Sequence, residues 1–134
     1  MQTRSLAALL FALLVAIPVW AHHSFAAEYD AGKMVTLKGV VTKVEWTNPH
    51  IYLSIDVTDP AGKVAKWSLE GFPPNSLSRI GWTRNLIREG DTISVSAYLA
   101  KDGSNLANMR EVTLSSGRKL AAGAAAADYV PTQQ

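Results

Sequence analysis

The chain has 134 residues, with 13 Lys and Arg against 11 Asp and Glu, a formal charge of +2, and no cysteine. The near balance denies it the basic face that nucleic-acid binding normally uses, so no nucleic-acid partner is expected. The lack of cysteine excludes thiol catalysis, thiolate metal sites and disulfide stapling, which leaves one small domain held together by its core.

Residues 1–21 read as a secretory signal: Arg4 supplies the positive charge, Leu6 to Ile17 an unbroken apolar run, Pro18 a break and Val19-Trp20-Ala21 a cleavage site. The run is shorter than the roughly 20 residues that a bilayer span requires. The expectation is export to the periplasm or medium, cleavage at Ala21–His22, and no membrane anchor afterwards.

Residues 22–33 form a polar lead-in that carries His22 and His23. Residues 34–120 then alternate in the two-residue period of strands. In the first run, Met34 to Trp46, the inward parity changes across Gly39, from Val35 and Leu37 to Val40, Val44 and Trp46. A phase change at a glycine predicts a bulge and a bend there. The second run places Ile51, Leu53, Ile55 and Val57 inward, with Tyr52, Ser54 and Asp56 outward. Asp59-Pro60-Ala61-Gly62 predicts a hairpin turn into a third run, with Ala65, Trp67 and Leu69 inward and Lys66, Ser68 and Glu70 outward.

Asn75 or Ser76 starts a predicted helical stretch toward Arg88, interrupted near Gly81, with Leu77, Ile80, Leu86 and Ile87 as its buried stripe. A fourth strand points Ile93, Val95, Ala97 and Leu99 inward against Ser94, Ser96 and Tyr98, and a fifth covers about Ala107 to Leu114. Residues 121–134 are alanine-rich and unpatterned, and are expected as a flexible tail.

The pattern predicts an all-β domain with one helix: a five-stranded OB-fold-like barrel of order β-β-β-α-β, with a meander sandwich as the rival. The stretches HHSFAAEYD, VEWTNPHIYL, LEGFPPN, GWTR and AKDG, in that order, resemble a family of small exported bacterial proteins of unknown function. The resemblance runs from His22 to about Leu120. It implies an OB-like fold and export, and it implies no activity.

Two groups of residues could carry chemistry. Cleavage at Ala21–His22 would put His22 at a free amino terminus, where the α-amine and imidazole of one residue chelate a metal ion. His23 adds a nitrogen, and His50 is the third and last histidine of the chain. Such nitrogen donors suit copper as Cu(II) ahead of zinc. The competing reading leaves His22 and His23 as an exposed end, and packs His50 against Trp46 or bonds it within its own turn.

Distance weighs on the choice. With a first strand that starts at residue 34, the lead-in must run back along the barrel to meet His50, and at ~3.3 Å per residue it spans roughly 40 Å. Glu28, Tyr29 and Asp30 offer oxygen ligands or, more simply, a solvated lead-in.

The second group is the outward face of the second and third strands. Tyr52, Lys66 and Glu70, with Asn48 and Asn75 at the rim and Trp82 nearby, are candidates for gripping a small molecule, sugar or peptide. Trp46 and Trp67 are expected in the core. Arg79, Arg84 and Arg88 read as a solvated helix face or a dock for an anionic partner. No G-x-S-x-G, HExxH or phosphate loop occurs, so no enzyme is expected. The expected function is binding: of Cu(II) or Zn(II) through the mature N-terminal histidines, or of a small molecule or periplasmic protein partner without metal.

Overall fold

In the computed structural model, which describes residues 25–123, a four-residue helix α1 (Phe25–Glu28) runs straight into β1 (Tyr29–Glu45). Then come β2 (Tyr52–Thr58), β3 (Val64–Glu70), α2 (Pro74–Arg79), β4 (Thr92–Ala100), β5 (Leu106–Thr113) and β6 (Lys119–Ala121). The described residues are mostly β with little helix. They hold six strands where five were expected, and the sixth is three residues long, too short for any period to reveal.

The strands pair in the order β3-β2-β1-β4-β5-β6, and β3 also pairs in parallel with β5 through Ser68–Leu106, Leu69–Ala107 and Glu70–Asn108. Five strands therefore follow one another in a ring of pairings, β1-β2-β3-β5-β4-β1. Such a ring needs its strands tilted and staggered. One row of cross-strand neighbours shows the stagger: Glu45, Tyr52, Glu70, Asn108, Tyr98, Met34. The row leaves β1 at Glu45 and returns to it at Met34, eleven residues back.

Inside the ring, Leu37, Val41, Leu53, Ile55, Leu69, Val95, Met109 and Val112 from the strands are buried in one core, and Leu77, Trp82 and Ile87 join it. Each fully buried aliphatic side chain of this kind stabilises by about 1.5–3 kcal/mol, the chief drive in a chain without disulfides. Trp46 and Trp67 pack against this core, as expected.

The inward parity of β1 does not change at Gly39. It runs on through Val41, while Val40 is 43% exposed. The irregularity in pairing with β2 lies between Val41 and Lys43, and it turns Val44 and Trp46 inward. Gly39 has another reason to be glycine: a Cβ there would sit 2.5 Å from the Asp56 carbonyl oxygen.

The helical stretch is also shorter than predicted. α2 ends at Arg79, and Gly81 adopts a φ of 97°, a left-handed turn that stops it. Arg79, Arg84 and Arg88 are all exposed.

Both ends of the described chain are more tightly built than their composition suggests. β1 starts at Tyr29, inside the expected lead-in, and pairs Tyr29 with Ala100 before a protruding stretch ends at Met34 opposite Tyr98. Phe25 and Tyr29 form a second apolar cluster with Tyr98, Ala100 and Leu106. At the other end, Ala121 lies in β6 and Ala122 is buried, its N–H on the Arg110 carbonyl and its carbonyl accepting from Phe72 N–H. The signal segment, His22, His23 and residues 124–134 of the expected tail lie outside the described residues.

Candidate functional site

The strand period puts Glu70 on the outer face of β3, where a carboxylate normally meets water. It is instead 7% exposed. The cover is Tyr29, itself 2% exposed, whose hydroxyl donates to Glu70 Oε2. Burying a carboxylate is costly unless donors compensate, and here they gather on it.

His50 Nδ1 lies 3.4 Å from Glu70 Oε1 and 2.9 Å from the Gly71 carbonyl oxygen. Tyr52 stands directly opposite Glu70 in the β2–β3 ladder. Burial and then the Glu70 and Glu28 charges push the Tyr52 phenol up to about 12. Burial, the hydrogen bond to Glu70 and its charge drive the Tyr29 phenol higher still. Both phenols stay neutral donors around one buried acid.

The contacts of His50 fix its tautomer. A carbonyl oxygen only accepts, so Nδ1 carries the proton and donates to Gly71, with Glu70 as a second acceptor. In the neutral ring Nε2 is then the lone-pair nitrogen, on a side chain 37% exposed. A carbonyl or carboxylate behind one ring nitrogen is the usual support for an imidazole that ligates a metal through the other. His50 thus bonds neither within its own turn nor through packing alone, but across to the end of β3.

The start of the described chain is pinned to the same place. The Phe25 ring meets Tyr98 edge-on at 5.3 Å and Tyr29 at 5.5 Å. Lys101 N–H donates to the Glu28 carbonyl at 2.9 Å, and the Lys101 ammonium reaches the Ala26 carbonyl. The stagger of the ring explains how Tyr29 and His50 reach the same carboxylate. Met34 and Glu45 lie far apart along β1, yet the same row of neighbours passes through both, with Tyr98, Asn108 and Glu70 between. Tyr29 therefore lies near the far end of β1 without the chain retracing that strand.

Among the described residues, no three His, Cys, Asp or Glu side chains are placed to hold a metal ion. Of the three histidines, His50 alone falls within them. Beside Glu70 in the row, Asn108 is 9% exposed, and its buried Oδ1 has no hydrogen-bond partner.

The other candidates divide. Tyr52 and Glu70 come together, whereas Lys66 is exposed and pairs with Asp56 at 3.2 Å, further along the same face. Asn48 and Asn75 are exposed, in the connection before His50 and in α2. Trp82 does not belong to a ligand face: it is 3% exposed, and its Nε1 donates to the Ala121 carbonyl at 2.8 Å. An open groove lies on the β2–β3 face between Ser54, Lys66, Trp67, Ser68 and Asn105. The sequence reading missed Phe25, Lys101 and Asn108, and it left Tyr29 in a solvated lead-in. The available signal was a pair of aromatic residues, four apart, in an otherwise polar segment.

Residues 11–109 match DUF6152, a family of unknown function. The chain belongs to this family. Membership of DUF6152 agrees with the resemblance to a family without an assigned activity. No curated protein matches the chain. Among solved structures, it is similar to the mitochondrial single-stranded DNA binding protein Rim1 of S. cerevisiae, at 16% identity and a TM-score of 0.48, over 62% of this chain and 94% of that one. By its name that protein binds single-stranded DNA, so the exclusion of nucleic acid drawn from charge balance is withdrawn. The likeness is too slight to carry a ligand across to this DUF6152 chain.

Proposed function

We propose that this chain is an exported metal-binding protein, cleaved at Ala21–His22, that takes Cu(II) ahead of Zn(II). The α-amine and imidazole of His22, a nitrogen of His23 and Nε2 of His50 form the donor set, and nitrogen donors of this kind rank Cu(II) above the other divalent first-row ions. The body that presents them is an OB-type barrel, read from the five-strand ring with α2 between β3 and β4.

One observation carries this reading. Tyr29 and His50 share the Glu70 carboxylate, so the segment that follows the two N-terminal histidines is held beside the third. The test is a copper titration of protein beginning at His22, next to a version with one extra N-terminal residue and next to His50→Ala. Weaker binding by both altered proteins is expected. Equal affinity across the three removes the site.

The groove between Ser54, Ser68, Lys66 and Asn105 favours a second reading, in which the β2–β3 face binds a polar small molecule without metal. That reading expects chemical-shift changes on β2 and β3 on adding such a ligand, and indifference to His50→Ala.

A further inference from the structure

We infer that the open edge of β1, centred on Thr36, is a self-association surface, on which two copies of this chain join edge to edge, antiparallel, into one continuous sheet. The contact lies within the described residues and involves no metal.

The backbone leaves this edge without a partner. β1 pairs with β4 from Met34 to Val40, but its ladder with β2 starts only at Val40. From Met34 to Lys38, the side away from β4 has no strand neighbour among the described residues. Val41 N–H donates to the Asp91 carbonyl and the Val41 carbonyl accepts from Gly90 N–H, both at 2.8 Å, so the backbone groups of Val41 face the β4 side. Alternate residues of a strand face opposite edges. Val35 and Leu37 therefore also bond toward β4, whereas Met34, Thr36 and Lys38 turn N–H and C=O to the open side. The other edges are blunted: Asn105 Nδ2 caps the Lys66 carbonyl at 3.1 Å on β3, and β6 is three residues long.

The side chains select a second copy as the occupant. Met34, Thr36, Lys38 and Val40 are all exposed on one face of β1. A two-fold axis through Thr36 sets Thr36 opposite Thr36 and Lys38 opposite Met34, so no like charges meet. Met34, 53% exposed, then lies diagonal to Val40 of the other copy, which is 43% exposed. Threonine pairs and apolar neighbours across strands are favourable, and like charges opposite one another are not. An axis through Lys38 would oppose two lysines and is disfavoured. Centred on Thr36, all the open backbone groups find partners, about six hydrogen bonds in all. A contact of one strand pair is small, so the dimer forms as concentration rises.

The experiment follows protein beginning at His22 by sedimentation as its concentration rises, with a chelator present, and reads the edge by amide exchange. Wild type is compared with Thr36→Pro, with Met34→Lys, and with Met34→Lys combined with Lys38→Glu, each checked for a wild-type circular-dichroism spectrum. A dimer is expected in wild type. Exchange of the Thr36 and Lys38 amides should slow as it forms, whereas Val35 and Leu37 are protected by β4 at every concentration. Proline is tolerated where a strand's N–H faces no partner, so Thr36→Pro should keep the fold and lose the dimer. Met34→Lys opposes lysines twice across the axis and should weaken dimerisation about fivefold, and adding Lys38→Glu should restore it. The charge variants decide the matter if Thr36→Pro does not fold.

A monomer at every concentration overturns the inference. So does a dimer that Met34→Lys leaves unchanged, or one in which the Thr36 amide exchanges as fast as in the monomer. A Thr36 amide already slow in the monomer shows that the chain covers this edge itself, and overturns it as well.

Discussion

Tyr29 and Glu70 are 41 positions apart in sequence and joined by one hydrogen bond, from the phenol to a carboxylate that strand parity had assigned to solvent. Removing that hydroxyl leaves the acid buried with one donor fewer. Tyr29→Phe is expected to lower the unfolding free energy of the metal-free protein by about 1–3 kcal/mol, the usual cost of stripping a partner from a buried polar group. A shift of the urea midpoint at unchanged slope measures it. An unshifted midpoint would mean that water already serves Glu70.

The raised phenols make the fold sensitive to alkali. Tyr52 ionises at about 12 in the folded protein, and Tyr29 is shifted in the same direction. The unfolded chain ionises its tyrosines near the ordinary value, about 10. Both groups therefore contribute stability that is intact below that ordinary value. Each share declines as the unfolded state begins to shed protons; that of Tyr52 is lost once the folded Tyr52 ionises, and that of Tyr29 only at still higher pH. Phenolate absorbance followed against pH, with and without urea, should show two tyrosines titrating late only in the folded protein. Tyr52→Phe should remove one of them.

Gly39→Ala tests the close approach of β1 and β2. The added methyl meets the Asp56 carbonyl oxygen at 2.5 Å and the Val57 side chain at 3.2 Å, and the nearer contact is backbone that cannot swing away. A loss of about 1–3 kcal/mol is expected, the range for overpacking in a well-packed body. Thermal melting of the variant beside Gly62→Ala separates crowding from strain, because Gly62 has a φ of 84° and open space around it. If both variants melt alike, crowding at Gly39 is not the cause.

Metal should raise the melting temperature of protein that begins at His22. Free Cu(II) at a hundredfold excess over its dissociation constant adds about 2.7 kcal/mol to the stability of a one-site protein. A chelator should reverse the gain, and one additional residue before His22 should remove most of it. A gain that survives the added residue locates the copper elsewhere.

The alternating runs were readable because their inward residues meet only one another. Ile51, Leu53 and Ile55 are fully buried, as their two-residue period requires. The same logic misplaced Val40, since a bulge moves by a residue or two at little local cost, and only pairing with β2 shows it after Val41. Trp82 looked like a rim aromatic, but its indole N–H has the Ala121 carbonyl inside the fold, and no local pattern announces that partner.

The site was half legible. His50, Tyr52 and Glu70 could be named as candidates from residue type and parity. Their convergence with Tyr29 could not, because it depends on the stagger of the whole ring. Parity states which way a side chain points, and not whether another segment will lie over it. Glu70 and Tyr98 both point outward, and both are buried, Glu70 beside Tyr29 and Tyr98 beside Phe25.

The seat of Phe25 also orders events in time. A ribosome delivers Phe25 and Tyr29 among the early residues of the chain, while Glu70, Tyr98 and Lys101 emerge much later. Until then the two rings have nothing to rest on, and the ring of strands must assemble before its first segment can dock. Phe25 and Tyr29, early in the sequence, rest on partners that come late in it.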